Sequence, residues 1–153
     1  MTVIIEVQSE TEMKQFGAQL GALLRGGETI ELVGDVGAGK TTLTKGIAQG
    51  MSIDEDVQSP SFTISRVYET PLGLQLSHYD FYRLNDAGIM ANELHETLHD
   101  PQNVTIIEWA DIITGILPED HLQVRLTSPT ETSRQIELIA GGLVSKSLVE
   151  RIV

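Results

Sequence analysis

Gly34-Asp35-Val36-Gly37-Ala38-Gly39-Lys40-Thr41 decides how the rest of this chain is read. The stretch has the form G-x-x-x-x-G-K-[ST], which marks a loop that cradles phosphate between a strand and a helix. Both neighbours are present. Glu28 to Val33 suits a short strand, and Thr41 to Gly50 sets Leu43 and Ile47 at helical spacing. Gly34, Gly37 and Gly39 permit backbone angles that a Cβ would block. The amide N–H groups are then free to turn inward as a concave nest for phosphate oxygens. The helix that begins near Gly39 adds its positive end. In this pattern Lys40 reaches the β- and γ-phosphates and the Thr41 hydroxyl ligates Mg2+. The expected nucleotide contacts of the loop are Gly34, Asp35, Val36, Gly37, Ala38, Gly39, Lys40, Thr41 and Thr42.

At 153 residues the chain is expected to be a single domain, residues 1–153. A hydrophobic content of 41% is that of a globular chain. No apolar run approaches the ~20 residues of a membrane span, and Met1 to Glu6 has no secretory pattern. The absence of cysteine excludes thiol catalysis and cysteine-held zinc. These features point to the cytoplasm. The net charge is −12, with 10 basic residues against 22 acidic ones. Such a chain does not attract nucleic acid or anionic membranes by charge. The loop must therefore create a local positive field inside a repulsive one, and Mg2+ is expected to help.

Around the loop the chain alternates strands and helices. Val3 to Val7 suits a short strand. Ser9 and Glu12 fit a capping box, and Met13, Phe16, Leu20, Leu23 and Leu24 stripe a helix that Arg25-Gly26-Gly27 ends. Ser52 to Ser61 is polar and acidic and reads as an exposed loop. Phe62 to Tyr68 and Leu74 to Asp80 alternate on either side of a Thr70-Pro71-Leu72-Gly73 turn, which predicts an antiparallel hairpin. On that period Leu74, Leu76, His78 and Asp80 share a face. Asp86 to His99 reads as a helix capped by Asn85 or Asp86. Asn103 to Trp109 is the most strand-like run of all. Leu122, Val124 and Leu126 alternate, as do Arg134, Ile136 and Leu138. Leu143, Val144, Leu148 and Ile152 are expected to stripe a final helix. The whole reads as an α/β fold.

ATPases with such a loop place an acid at the end of a buried strand beside it, where it holds Mg2+ or orients the attacking water. Glu108 follows Val104-Thr105-Ile106-Ile107 and has that context; Asp80, at the end of its own strand, is the second candidate. Lys40, Asp80 and Glu108 are thus the expected catalytic residues, with either acid open to either role. His78 reads as a packed or solvated histidine, and His95, His99 and His121 carry no functional reading. Trp109, the single tryptophan, adjoins Glu108.

Taken together, GDVGAGKTT at 34–42, SPSFTI at 59–64, HYDFYRL at 78–84 and Glu108-Trp109 resemble the bacterial TsaE (YjeE) family. That family is the ATPase component of the tRNA threonylcarbamoyladenosine system. The segments agree in order and spacing along nearly the whole chain. Ser61 stands where the family usually has Thr, and Ala87–Asp100 departs more widely. The resemblance implies a three-layer P-loop fold with a mixed, largely parallel sheet. It implies ATP and Mg2+ as ligands, with Thr41 and Glu108 on the metal, and a Ser59–Thr63 loop and Asp80 region that act as switches around the γ-phosphate. It also implies action through two partner proteins that attach threonylcarbamoyl to the adenosine beside the anticodon, the partners holding the tRNA. Thr11 and Arg134 match the family's contacts to adenine. Two rival readings are a small-molecule kinase and a non-enzymatic nucleotide-dependent switch.

Overall fold

The computed structural model describes residues 1–35, 37–60, 64–82, 88, 90–113 and 115–153. Strand β2 (Thr29–Val33) and helix α2 (Lys40–Gly50) flank the glycine-rich loop. β2 pairs in parallel with β5 (Asn103–Glu108) on one side and with β6 (Leu122–Thr127) on the other. β5 pairs in parallel with β4 (Gln75–Asp80), which sets Asp80 opposite Glu108. Antiparallel strands extend both flanks. β3 (Ser65–Glu69) makes the expected hairpin with β4, β7 (Arg134–Ala140) folds back on β6, and β1 (Thr2–Val7) lies against β7. The sheet order is β1-β7-β6-β2-β5-β4-β3, so the parallel centre carries the loop and both candidate acids at its carboxyl ends.

Every residue of β5 is buried, as expected for a parallel strand covered on both faces. Ile106 belongs to the larger core, shared with α1 (Glu10–Leu23), α2 and α4 (Leu143–Ile152). Ile107 belongs to a second core with Tyr79, Phe81 and α3 (Ala91–Leu98). The result is three layers, helix, sheet and helix. Alternation along β4 and β5 puts His78, Asp80 and Glu108 on the face of Leu76 and Ile106, the side on which α2 and the loop lie.

Helix α1 is pressed onto α2 through glycines. A Cβ at Gly21 would lie 2.1 Å from the Ile47 carbonyl oxygen, and one at Gly46 would lie 2.3 Å from that of Lys14. The two backbones are in contact, so the loop's helix is seated against a partner that cannot shift without breaking that contact.

Several sequence expectations need correction. α1 ends at Leu23 with Leu24 extended, because the Glu28 carboxylate accepts hydrogen bonds from the Arg25 and Gly26 N–H groups and ends the helix there. Ser9 accepts from the Glu12 N–H as expected, but Glu12 reaches back to the Gln8 N–H. The 52–60 segment is not simply exposed: Ile53, Val57 and Pro60 are buried, the first two in the main core. Leu143 and Val144 are exposed rather than striped inward. Asp120 accepts from the Val144 and Ser145 N–H groups and the Ser145 hydroxyl, which sets the helical phase so that Ser145, Leu148 and Val149 face in. α3 begins at Ala91 with Met90 as its N-cap, and the described residues Gly88 and Met90 lie in turns rather than inside the expected helix. The expected start at Asp86, its caps Asn85 and Asp86, and the expected strand residues Phe62 and Thr63 lie outside the described residues.

β2 and β6 are also fastened by an ion pair on the face of the sheet opposite α2. His121 Nε2 lies 3.1 Å from Glu31 Oε1, which also accepts from the Gln123 amide at 3.0 Å. The hydrogen bond with His121 holds the Glu31 carboxyl below its ordinary 4.5, against burial. The bond with Glu31 raises His121 above its ordinary 6.5, again against burial. Glu31's contribution is present above 4.5 and is lost as pH falls through its lowered value. His121's contribution is complete below 6.5 and is lost as pH rises through its raised value. Thermal stability is therefore expected to fall through this pair as pH rises above 6.5. His121→Leu is expected to flatten that slope in melting curves; an unchanged slope would contradict the assignment.

Candidate functional site

A cavity of about 760 Å3 opens at the carboxyl ends of β4 and β5, above the N-terminus of α2. This is where open α/β sheets bind ligands. Gly37, Gly39, Lys40, Thr41 and Thr42 form its floor. Gly37 and Gly39 have φ of 85° and 108°, left-handed values that favour glycine. A Cβ at Gly37 would meet nothing within 4 Å, so the loop there borders open space. Ser59, Asp80, Tyr82, Glu108 and Trp109 form one wall; Gln8, Ser9, Glu10 and Met13 with Glu131, Thr132 and Arg134 form the other.

Lys40 is 7% exposed. Its ammonium donates to the Gly34 carbonyl at 2.7 Å, lies 3.9 Å from Glu108 Oε1, and sits 4.3 Å from the centre of the Trp109 ring. Glu108 owes its position to the end of buried β5. Its other oxygen, Oε2, is 2.6 Å from His78 Nε2. Asp80 is 4% exposed; Oδ1 accepts from the Tyr82 N–H at 3.0 Å, and Oδ2 accepts from the Ser59 hydroxyl at 3.4 Å. The Asp80 N–H donates to the Ile64 carbonyl. The segment around Ser59 to Ile64 is thus strapped to Asp80 at both described ends.

Trp109 adopts φ of 58°, which is uncommon for a bulky residue. That turn out of β5 carries the indole over Lys40, and the Tyr82 ring packs on it at 4.9 Å between centroids. Backbone strain of this kind, on the order of 1–3 kcal/mol, concentrates at functional sites. Binding of Mg2+ and ATP is expected to change Trp109 fluorescence, since the indole touches the loop's ammonium and no second tryptophan contributes. A titration with no spectral change, while calorimetry registers binding, would contradict it.

The structure brings together Gly37, Gly39, Lys40, Thr41, Thr42, Asp80, Glu108 and Arg134 around one cavity. Ala38, within the loop, is buried. Gly34 and Asp35 line a smaller pocket on the loop's far side with Lys40 and Trp109. Val36 lies outside the described residues. Thr11 does not line the cavity; it stands in the first turn of α1, next to Glu10, which does. Arg134 is largely engaged with backbone. Its guanidinium donates to the carbonyls of Thr130, Glu131 and Ser133, and reaches that of Gly37 at 3.4 Å. His78 was missed as a site residue. The available signal was its place two residues before Asp80, on the same face of the same strand.

The donor set suits a phosphate ester with a divalent ion. Among the described lining residues, Glu10, Asp80, Glu108 and Glu131 oppose Lys40 and Arg134, so a polyphosphate needs further positive charge to enter. No group of three or more His, Asp or Glu among the described residues converges as a ready metal site. Mg2+ is held in such sites by one or two protein ligands plus phosphates and water, and the Thr41 hydroxyl and Glu108 fit that pattern.

Residues 7–136 match the family described as "Threonylcarbamoyl adenosine biosynthesis protein TsaE". The tRNA threonylcarbamoyladenosine biosynthesis protein TsaE of Bacillus subtilis is 37% identical over 141 residues, covering 92% of this chain and 87% of that protein. The protein of the same name from a Nostoc species is 36% identical over 152 residues, covering 97% and 92%. That from Haemophilus influenzae is 32% identical over 148 residues, covering 94% and 92%. The crystal structure of YdiB from Bacillus subtilis superposes with a TM-score of 0.84 at 31% identity, covering 99% of this chain and 94% of that one. The likeness runs through the sheet, the loop and both acid-bearing strands, and on these grounds the chain belongs to the TsaE family.

Proposed function

We propose that this chain is a single-domain, Mg2+-dependent ATPase of the cytoplasm. In this reading it supports formation of threonylcarbamoyladenosine beside the tRNA anticodon and acts through two partner proteins. One observation carries the reading: the glycine-rich loop, its lysine and two buried carboxylates from neighbouring parallel strands meet at a single cavity. The names of the relatives supply the pathway.

The chain's own residues divide the work. The loop amides and Lys40 hold the phosphates. The Thr41 hydroxyl and Glu108 hold Mg2+, which when bound neutralises charge on the β- and γ-phosphates. Asp80 orients the attacking water, and its bonds to Ser59 and the Ile64 carbonyl couple that task to the 59–64 segment. Arg134 stiffens the turn that carries Glu131 and Thr132 into the cavity wall.

This arrangement supports slow hydrolysis by the isolated chain. A free arginine at the transferring phosphate contributes ~10³–10⁵ in rate, and Arg134, the one arginine among the described lining residues, is tied to carbonyls. The same scarcity disfavours a kinase with an arginine-bearing lid. A net charge of −12 leaves tRNA to the partners. Steady-state ATPase measured alone, with both partners, and with tRNA only tests the reading. Slow turnover alone and stimulation by the partners are expected; full activity alone, or stimulation by tRNA without partners, would contradict it.

A further inference from the structure

We propose that His78 is a positioning residue that presents the Glu108 carboxylate to the cavity, and so sets how tightly the site takes a divalent cation with its nucleotide. The inference rests on the proposed function, because it assumes that Glu108 serves the metal.

The geometry is specific. In the parallel pairing of β4 with β5, His78 lies beside Ile106, and Asp80 beside Glu108. His78 and Glu108 are therefore diagonal neighbours on the face that supports the loop. His78 has no exposed surface, and its Nε2 lies 2.6 Å from Glu108 Oε2. A carboxylate oxygen accepts, so Nε2 carries the proton. Nδ1 is buried and has no hydrogen-bond partner among the described residues. The tautomer with its proton on Nε2 leaves only an unmatched acceptor there; a second ring proton would leave an unmatched donor.

The consequence falls on Glu108. With Oε2 taken from behind by the imidazole, Oε1 is the oxygen that points to the Lys40 ammonium, 3.9 Å away. A glutamate has three rotatable bonds, and at the end of β5 the packed imidazole is what selects one orientation. Hydrogen bonds behind a ligating carboxylate also fix its basicity, and removing them typically lowers metal affinity or activity by roughly 10- to 100-fold. Packing alone does not ask for histidine at this position. Of the neighbours of His78 on its face, Leu76 and Ile106 are apolar and fully buried, and Arg66, Asp80 and Glu108 are charged; a leucine would pack on the first two and leave Glu108 Oε2 without its partner.

The test compares His78→Leu with His78→Gln, since a glutamine amide retains an N–H donor at similar reach. Two readouts are needed. The first is a thermal-melt double-mutant cycle of His78→Leu with Glu108→Leu, without nucleotide. Loss of stability in each single variant that is not additive in the double is expected; additive losses would overturn the claimed bond. The second is calorimetric binding of ATP with Mg2+ and with EDTA, together with the Mg2+ dependence of turnover. His78→Leu is expected to weaken Mg2+-dependent binding and turnover by roughly 10- to 100-fold while leaving EDTA binding of ATP within a few-fold. His78→Gln is expected to recover most of the loss. A folded His78→Leu protein with native Mg2+ dependence would overturn this inference alone. Failure of the native chain to bind ATP in a Mg2+-dependent way would overturn the proposed function and this inference with it.

Discussion

Replacing Lys40 with alanine is expected to weaken ATP binding by roughly 10- to 150-fold and to leave the fold intact. The ammonium is the only lysine charge on the described cavity floor, and it stands over the first turn of α2. A charge-assisted hydrogen bond to phosphate contributes ~1.5–3 kcal/mol, which converts to that range of affinity. The fold should survive because two of the three contacts of the Lys40 ammonium have a second support. Glu108 keeps its bond to His78, and Trp109 keeps its packing on Tyr82. Calorimetric titration checks the affinity, and circular dichroism checks the fold. Native affinity in a folded variant would remove Lys40, and with it the glycine-rich loop, from the nucleotide site.

Gly21→Ala is expected to be among the most destabilising single changes outside the site. Two effects oppose each other. Alanine favours a helix interior over glycine by about 1 kcal/mol. Against this, the new Cβ would lie 2.1 Å from the Ile47 carbonyl oxygen, a backbone atom that has no rotamer to change. A Cβ at Gly17, Gly46 or Gly50 would likewise lie 2.6, 2.3 or 2.2 Å from facing backbone, so α1 cannot tilt away from one contact without opening the others. Overpacking of this kind typically costs about 1–3 kcal/mol net, which corresponds to a melting temperature lower by roughly 2–12 °C in a chain of this size. Because α1 also carries Ser9, Glu10 and Met13 to the cavity wall, nucleotide affinity should fall as well. A variant as stable as the native chain would show that the helices are not held at this distance.

Much of this architecture is legible in the residues. The loop pattern needs a strand before it and a helix after it, and both form. The run Asn103–Glu108 is apolar enough to be a central strand, which puts its terminal acid beside the loop. The Pro71 and Gly73 turn between alternating runs announces the hairpin that ends in Asp80. Less legible is what depends on distant partners. That β1 pairs with β7 across nearly the whole chain length follows from no local signal. Ile53 and Val57 look like isolated apolar residues in an acidic loop, and only the core above them shows why they are there. The phase of α4 is set by Asp120, a residue outside the helix. His78 escaped for the same reason: its meaning comes from Glu108, thirty residues away in sequence and one strand away in space.

The most direct test of the central claim is amide NMR of the uniformly labelled chain, recorded before and after addition of ATP with Mg2+. The largest shifts are expected at Gly37, Gly39, Lys40 and Thr41, with further shifts at Asp80, Glu108 and Trp109, and little change at His121 on the opposite face of the sheet. Shifts centred elsewhere, or a spectrum that does not respond to ATP and Mg2+, would contradict that claim.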